Sequence, residues 1–560
     1  MTGEHIWSRR IADELWSGIV TPLTFTMLAD LMAEHMVRRR LDNAGLSRLA
    51  ASPVFRLSRG HVYVNASLVA EVMREVPTVF ASEGLLELLP EGLRQSVRES
   101  GRSLLSPTLG TIVLNLGLHE RGWMPWTRAE VFRVEASRIA PDLAALAVAS
   151  DAPSSVLAST INEVRARLGS FLEAVSWGMI HAYVFFHLTA QLIARWAPDQ
   201  SASIAELTSG LDGIRTFEIH DELLGCAIAV RADAELRAAV MGDPLRVAAL
   251  CLSGGLGAFG TRIRMLIERH GHRLVGRDLS YATWRERPAV VIEMVQKLLQ
   301  ADPRESAGDR RARHDEVVRR VSAAVAAGLG GSLRLLVFER SFAWCRTYYV
   351  LRENMRYHAD LFLSALRSLA LTAASRMVAL GQLREREDVF YLEAGELQDA
   401  LLDRDERAGV LAERAAMRRG SYAAFRSGNA PESFVGEDLE IAAATESAPS
   451  RPAEGLALRG LGVSPGRAVG SARVVHSVED LRELRAGEVI VATSTDPSWT
   501  SLLAVGGAIV LEMGGLLSHG AIVARELGIP AVVNVAQATR LLATGDRIVV
   551  DGRAGTVALA

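Results

Sequence analysis

The sequence predicts a multidomain protein in which a large, mainly α-helical region precedes a compact α/β domain. Apolar residues recur at three- and four-residue spacing through most of residues 1–435, which is typical of amphipathic helices. Residues 436–455 have the polar, Pro-containing composition of a flexible linker. Short β-branched runs then alternate with turns, so residues 456–560 are predicted to form the α/β domain.

Individual elements follow from the same periodicities. Helical spacing predicts helices at Ile11–Trp16, Phe25–Arg39, Leu68–Met73, Val156–Trp196, Val317–Leu329 and Leu361–Leu380. Extended runs predict strands at Val62–Val64, Val389–Leu392, Ala472–Val475, Val489–Ala492, Ala508–Leu511, Ala531–Val533 and Ile548–Val550.

The composition excludes several classes of protein. The 560 residues carry a formal charge of -3, so nothing indicates nucleic-acid binding. Three scattered cysteines are too few for a disulfide framework or a zinc site, and no metal site is predicted. The N-terminus lacks the apolar core of a signal peptide, and polar residues interrupt the longest apolar run, Trp177–Ala194. A cytoplasmic protein without a membrane span is therefore expected.

Lysine occurs only once, at Lys297, so no P-loop is present and phosphate contacts must come from arginine or backbone N–H groups. A literal Gly-x-Gly-x-x-Gly occurs at Gly255–Gly260. Its flanks have helical spacing, and a dinucleotide site needs a βαβ context. We therefore predict that this match is coincidental.

The segment from Glu512 to Pro530 contains the best candidate for catalysis, His519. The apolar run Ala508–Leu511 predicts a buried strand, and Gly514 and Gly515 can turn the chain sharply. Ser518 suits an N-cap, so His519 falls in the first turn of a helix. A helix N-terminus favours a neutral ring and stabilises an anion placed on it. We expect Gly520 to leave the approach to the ring open; a surface histidine without a role is the alternative.

This segment, with Leu517-Ser518-His519-Gly520-Ala521, resembles the phosphohistidine signature of the swivelling domain in phosphoenolpyruvate synthase, pyruvate phosphate dikinase and rifampicin phosphotransferase. The likeness extends over 456–560, through Gly462–Gly466, Gly470–Val474, Thr495–Thr500 and Gly545–Gly552. It implies that His519 carries a phosphoryl group. We expect the loop around it to be formed by Gly514, Gly515, Ser518, Gly520, Arg525, Asp496 and Thr500. Asp496 and Thr500 could order it through hydrogen bonds to backbone N–H groups or only shape a turn, and Arg525 could pair with phosphate or with a carboxylate.

The N-terminal region resembles the substrate-binding domain of rifampicin phosphotransferase, through Trp16–Thr26, Arg59–Asn65, Glu268–Arg273, Trp284–Pro288 and Glu385–Leu392. The resemblance implies substrate-binding roles for Thr21 and Pro22. One departure is Gly276-Arg277-Asp278, where the family commonly has Gly-Glu.

Arg352 and Arg356 lie one turn apart on a predicted helix. The resemblance places such a basic pair near the transferring phosphate, where arginines stabilise charge on the phosphoryl oxygens. A solvated helix face without a role is the alternative. Aromatic residues, among them Trp344 and Tyr348, fit either a large apolar acceptor or a packed core.

Three functions remain open at this stage. Family members begin with an ATP-grasp domain that this sequence does not match, so the first is a phosphotransferase component that binds no cofactor itself. A separate ATP-grasp protein would then bind ATP and Mg²⁺, phosphorylate His519 and leave transfer to a hydroxyl of an apolar small molecule, in antibiotic inactivation or natural-product biosynthesis. The second is an elimination enzyme, such as a dehydratase, with His519 as acid or base. The third is a non-catalytic ligand-binding protein.

Overall fold

The computed structural model describes residues 5–12, 16, 18–43, 45–75, 86, 88–100, 125–146, 152–274, 276–301, 307–402, 409–427, 430–436, 457–476, 478–496 and 499–560. The predicted linker, 436–455, lies outside this set except for its first residue. Its flexibility and the predicted domain boundaries beside it therefore stay predictions.

Helices dominate the described residues before position 436. The α-helices are Arg9–Ala12, Pro22–Met32, Arg39–Asn43, Ser47–Ala50, Ala66–Glu75, Glu91–Glu99, Pro125–Ala145, Ser154–Trp196, Ile204–Leu207, Arg215–Arg231, Ala234–Val240, Pro244–Leu252, Gly257–His270, Ala289–Gln300, Ala307–Ala326, Gly331–Ala379, Ala394–Leu401 and Val410–Ser427. A π-helix, Ala33–Arg38, and two 3₁₀-helices, Pro198–Ser203 and Arg386–Tyr391, complete the set. The mainly helical fold class is confirmed.

One predicted strand in this region is wrong. Val389–Leu392 reads as extended because it is β-branched and aromatic, yet Arg386–Tyr391 forms a 3₁₀-helix. The side chains of Glu385 and Asp388 form a capping box, each accepting from the other's backbone N–H. This local capping outweighs the β propensity of the run.

The chain divides into two compact units. The first contains Met1–Tyr183, Arg277–Tyr281 and His358–Glu446. Its antiparallel sheet has the order β2-β3-β1-β4, with β1 Ile6–Ser8, β2 Phe55–Ser58, β3 His61–Asn65 and β4 Ser433–Val435. Trp7, Tyr63 and Phe434 from three of these strands form a buried aromatic cluster that fixes the sheet.

The second unit contains Val184–Gly276, Ala282–Tyr357 and Ser447–Ala560. Its helical part includes Gly257–His270, which begins at Leu256 in the left-handed conformation with φ 60°. The preceding element is the helix Pro244–Leu252, so Gly255–Gly260 connects two helices. A helix–helix connection is not the βαβ context that a dinucleotide site needs, so the surroundings of the glycine match are those expected from the sequence.

The C-terminal part of the second unit is an α/β fold around one mixed sheet, as predicted. The sheet order is β5-β12-β11-β7-β8-β9-β10-β6, and β7 to β10 are parallel neighbours. These strands are β5 Leu458–Arg459, β6 Leu461–Ser464, β7 Arg467–Val475, β8 Val489–Ala492, β9 Ala508–Leu511, β10 Ala531–Val533, β11 Arg547–Asp551 and β12 Thr556–Leu559. The short helices are Val478–Arg482, Thr500–Leu503, His519–Glu526 and Ala538–Leu541.

Every residue of β8, β9 and β10 is buried, which explains why these strands are continuous apolar runs in the sequence. The parallel strands β8 and β9 both end at the same edge of the sheet, and the segments after Ala492 and Leu511 begin there. These two segments carry Asp496, Thr500 and His519, so the sheet brings them to one edge.

Among the described helices, one is long and apolar enough to cross a membrane by length and composition, Gly331–Ala379. More than half of its most apolar window is buried inside the protein, as in the core helix of a folded domain. The sequence-based candidate, Trp177–Ala194, is instead part of the helix Ser154–Trp196.

Candidate functional site

The turn before the His519 helix (His519–Glu526) explains how this histidine is presented. Gly514 has φ 136°, a value that only glycine adopts readily, and it reverses the chain after β9. A Cβ atom there would lie 2.7 Å from Ser518 Oγ. The Ser518 N–H then donates to Gly515 O at 3.0 Å, and the helix begins at His519. The predicted placement of His519 in the first helical turn is confirmed.

Three details of this loop differ from expectation. Gly515 does not have a positive φ; its carbonyl instead accepts from the Ser518 hydroxyl at 2.9 Å. Ser518 occupies the N-cap position, but its side chain does not cap the helix because its hydroxyl is turned to Gly515. Gly520 does not open the approach to the ring, since it is buried: a Cβ atom would lie 2.4 Å from Leu511 Cδ1. Gly520 therefore allows the helix to pack closely on β9.

Arg525 fixes the His519 loop to the sheet through hydrogen bonds to backbone carbonyls. Its side chain is buried, and it donates to Leu516 O at 2.8 Å and to Val463 O at 3.3 Å. Leu516 belongs to the loop and Val463 to β6, so one guanidinium joins the His519 loop to the sheet. From the sequence, Arg525 was expected to pair with phosphate or with a carboxylate. In the structure its guanidinium donates to two backbone carbonyls.

The His519 ring lies between two polar side chains. Its Nδ1 is 3.6 Å from Glu353 Oε2, and its Nε2 is 3.3 Å from the Thr500 hydroxyl. The side chains of His519 and Glu353 are only 14% and 9% exposed. A carboxylate facing Nδ1 favours a proton on that nitrogen, which leaves the lone pair on Nε2. Thr500 therefore contacts the ring nitrogen that carries the lone pair, a contact that the sequence did not predict.

Arg352 and Arg356 lie beside this pair, on the helix Gly331–Ala379. Arg352 Nη1 is 2.8 Å from Glu353 Oε1, and Arg356 Nη2 is 3.5 Å from Asp496 Oδ2 and 3.3 Å from Gly276 O. Their side chains are 11% and 14% exposed, so the alternative of a solvated helix face is excluded. Asp496 is buried and contacts Arg356, so it does more than shape a turn, which was one of the roles considered from the sequence.

The electrostatics of the site centre on Glu353. Burial acts to raise the pKa of its carboxyl, but the contact with His519 and the charge of Arg352 outweigh burial, so the pKa lies below its usual value. Glu353 is thus an anion held between a histidine and an arginine. Burial raises the pKa of Tyr349, one turn earlier on the same helix, so its phenol stays neutral.

The predicted substrate-binding residues separate into two groups. Trp344 and Tyr348 form an aromatic cluster with Phe185, in which the Phe185 and Tyr348 rings are stacked at 5.9 Å. Tyr348 is fully buried, whereas Trp344 and Phe185 are partly exposed and are the members that a ligand could reach. All three residues belong to the unit that contains His519.

Thr21 and Pro22 belong to the other unit, at the start of the helix Pro22–Met32. The N–H and hydroxyl of Thr21 both donate to Asp278, at 2.6 and 2.9 Å, and both residues are buried. Asp278 stands in the Gly-Arg-Asp departure, and the structure gives it a packing role. These contacts occupy the polar groups of Thr21, and its substrate-binding role stays a prediction.

Sequence reasoning missed Glu353 as a site residue, although it stands between the two arginines. The signal was its spacing: residue 353 follows Arg352 directly and lies three residues before Arg356, so all three share one helical turn. Its partner is 166 positions away, and only the fold brings them together.

Two segments of the chain match models of known protein families. Residues 170–353 match the model for the rifampicin phosphotransferase fourth domain, and residues 484–555 match the model for the mobile domain of PEP-utilising enzymes. These ranges contain Glu353, Asp496, Thr500 and His519, whereas Arg356 lies just beyond the first.

Three relatives are informative. A rifampicin phosphotransferase of Streptomyces sviceus is 31% identical over 379 residues, which are 65% of this chain and 42% of that protein. Chondramide synthase cmdD of Chondromyces crocatus is 31% identical over 54% of this chain and 8% of its own length. The prodigiosin synthesizing transferase PigC of Serratia marcescens is 48% identical over 101 residues, 18% of this chain and 11% of its own length.

The chain thus spans about two fifths of the length of the rifampicin phosphotransferase it matches. Both halves of the His519 site nevertheless fall within matched regions or directly beside them. The chain is thus similar to rifampicin phosphotransferases and contains segments that match their fourth domain and the mobile domain of PEP-utilising enzymes.

Proposed function

We propose that this protein is a phosphotransferase component in which His519 carries a phosphoryl group to a hydroxyl of a large, apolar small molecule. The observation that carries the proposal is the grouping of His519, at a helix N-terminus, with Glu353, Arg352 and Arg356. The proposal includes a separate ATP-grasp protein that binds ATP and Mg²⁺ and phosphorylates His519. It also places the protein in the cytoplasm, where ATP is available.

Each side chain has a defined task in the proposed reaction. The Nε2 lone pair of His519 attacks the donor phosphorus and the donor's P–O bond breaks while the domain is away from the helical part, and Glu353 holds the proton on Nδ1 after its return. The resulting phosphoramidate then transfers its phosphoryl group to the acceptor oxygen as the N–P bond breaks, and the hydroxyl proton leaves to solvent. Phosphoryl transfer needs positioned positive charge more than covalent chemistry. Arg352 and Arg356 supply that charge, and backbone N–H groups at the helix N-terminus add to it.

The acceptor class is inferred from the aromatic cluster of Phe185, Trp344 and Tyr348, which offers apolar and planar surface within the same unit. The relatives support this inference, because their names refer to rifampicin, chondramide and prodigiosin. We therefore propose a natural product with a free hydroxyl, which phosphorylation either inactivates or activates for a later step.

One observation favours a second function. A buried carboxylate 3.6 Å from a histidine ring is also the arrangement of an acid–base dyad. With this chemistry His519 would remove a proton from the acceptor molecule in an elimination, and no phosphohistidine would form.

Phosphate labelling distinguishes the two. The purified chain is incubated with ATP labelled at the β- or the γ-phosphate, with and without a candidate ATP-grasp protein, and the label is tested for acid lability. We expect partner-dependent, acid-labile label on wild type and none on His519→Ala. Glu353→Gln is expected to accept label as wild type does, because Glu353 faces His519 only when the domain lies on the helical part, and to pass the label to an acceptor hydroxyl at least tenfold more slowly because it no longer fixes the ring proton. Absence of label with every ATP-grasp protein tried, together with conversion of a hydroxylated substrate without phosphate, would establish the elimination instead.

A further inference from the structure

The last residue of the His519 helix, Glu526, is a carboxylate that the proposed chemistry does not use. It is 2% exposed, and it lies two turns from His519. Its Oε1 accepts from Gly210 N–H at 2.6 Å, and its Oε2 lies 3.5 Å from Arg310 Nε. Gly210 and Arg310 belong to the helical part of the unit, so Glu526 joins the α/β fold to that part.

Gly210 and Arg310 form the socket that receives Glu526, and further contacts hold each of them in place. Asp221 accepts two hydrogen bonds of 2.7 Å from Arg310 Nη2, which orients the guanidinium. Gly210 has φ 70°, and a Cβ atom there would lie 2.6 Å from Arg310 O, so only glycine brings this N–H so close to the helix Ala307–Ala326. A partly buried N–H left without its acceptor would lose a hydrogen bond, which makes the pairing selective.

Other contacts join the same two parts. Lys297 Nζ donates to Leu484 O at 2.7 Å, Arg482 pairs with Glu293 at 3.1 Å, and Arg313 donates to the backbone carbonyl of Arg525 at 3.2 Å. The His519 helix is therefore held at both ends, by Glu353 at its start and by the Gly210–Arg310 socket at its end. Fixing both ends defines the direction in which the His519 ring points.

We propose that Glu526 is a docking residue, whose carboxyl oxygen on Gly210 N–H seats the mobile domain on the helical part and so positions His519 for transfer to the acceptor. This deepens the proposed function, since a mobile carrier must leave the helical part to be phosphorylated and return to it to transfer. Glu526 acts through the helix and not on the phosphoryl group, so it is a positioning residue.

The sole lysine provides a test that needs neither donor nor acceptor. Lys297 is partly buried and its ε-amine is hydrogen-bonded across the junction, so undocking exposes it. The full chain is treated at pH 7 with a limiting amount of an N-hydroxysuccinimide ester, and Lys297 labelling is followed by peptide mass spectrometry. Amide hydrogen exchange of residues 208–213 is measured in parallel. We expect Glu526→Ala to raise both rates at least fivefold, whereas Glu526→Gln, which keeps the accepting oxygen, does not raise either rate more than twofold above wild type.

Glu316→Gln is the matched control, because it changes an exposed carboxylate on the same helix as Arg310. Unchanged rates in Glu526→Ala would overturn the proposal, and so would an equal rise in Glu526→Gln, since the hydrogen bond would then not be what holds the domain. If Glu526→Ala does not fold, Asp221→Asn loosens the socket from the helical side and is expected to raise both rates. If Glu526→Ala undocks while its His519 is still labelled normally, the docking inference is supported separately from the proposed phosphotransfer. Failure of the proposed phosphotransfer would instead appear as absence of label on His519.

Discussion

Replacing Arg525 with methionine tests whether this buried arginine organises the His519 loop. Arg525→Met removes the donors to Leu516 O at 2.8 Å and Val463 O at 3.3 Å while keeping most of the side-chain volume. A hydrogen bond from a charged donor contributes about 1.5–3 kcal/mol, so the two bonds give roughly 3–6 kcal/mol. Part of this free energy is recovered because methionine has no charge that must be desolvated on folding. The replacement also removes Arg525 Nε, which has no hydrogen-bond partner among the described residues. The expected loss of stability is therefore about 2–4 kcal/mol.

Native-state hydrogen exchange measures this loss where it should occur. The opening free energy of the amides in β9 and β10 should fall by the stated amount, and the amides of residues 514–518 should exchange fastest. Arg547→Met is the control, since Arg547 is an exposed arginine in the same sheet. A loss below about 0.5 kcal/mol, the usual range for surface substitutions, would refute the reasoning. In that case the two carbonyls would be satisfied without Arg525.

Two further predictions concern the turn and the docking residue. Gly514→Ala places a Cβ atom 2.7 Å from Ser518 Oγ at φ 136°, so we expect the opening free energy in the same exchange measurement to fall by about 1–3 kcal/mol. Gly528→Ala is the control: with φ 63° and open space around it, it should lower the opening free energy less. Burial raises the pKa of Glu526 to about 7, although Gly210 N–H and the charges of Arg310, Arg525 and Arg313 oppose the rise. Because the docked pKa exceeds that of an exposed glutamate, about 4.3, docking is strongest at low pH and weakens as pH rises toward 7. The ratio of Lys297 labelling in wild type to that in Glu526→Gln should thus rise up to about tenfold between pH 6 and pH 8; a constant ratio would contradict the shift.

The α/β fold is the part of the structure that the sequence predicts best. The strands Val489–Ala492, Ala508–Leu511 and Ala531–Val533 have the predicted bounds, because a strand buried on both faces is an unbroken apolar run between turns. The start of the His519 helix was predicted correctly from Gly514 and Ser518, although the Ser518 hydroxyl bonds to Gly515 and does not cap the helix. Where local capping competed with propensity, at Arg386–Tyr391, the sequence pattern misled.

The tertiary structure determined which residues contact His519 and Glu526. Glu353 and His519 are 166 positions apart, and Gly210 and Glu526 are 316 positions apart. No periodicity connects residues at such separations, since hydrophobic spacing reports only which face of an element is buried. The sequence by itself identified His519 as the candidate carrier and determined the strand and helix that present it. Only the packing of the helical part against the α/β fold determined that a buried carboxylate faces His519 Nδ1 and that a second carboxylate anchors the far end of its helix.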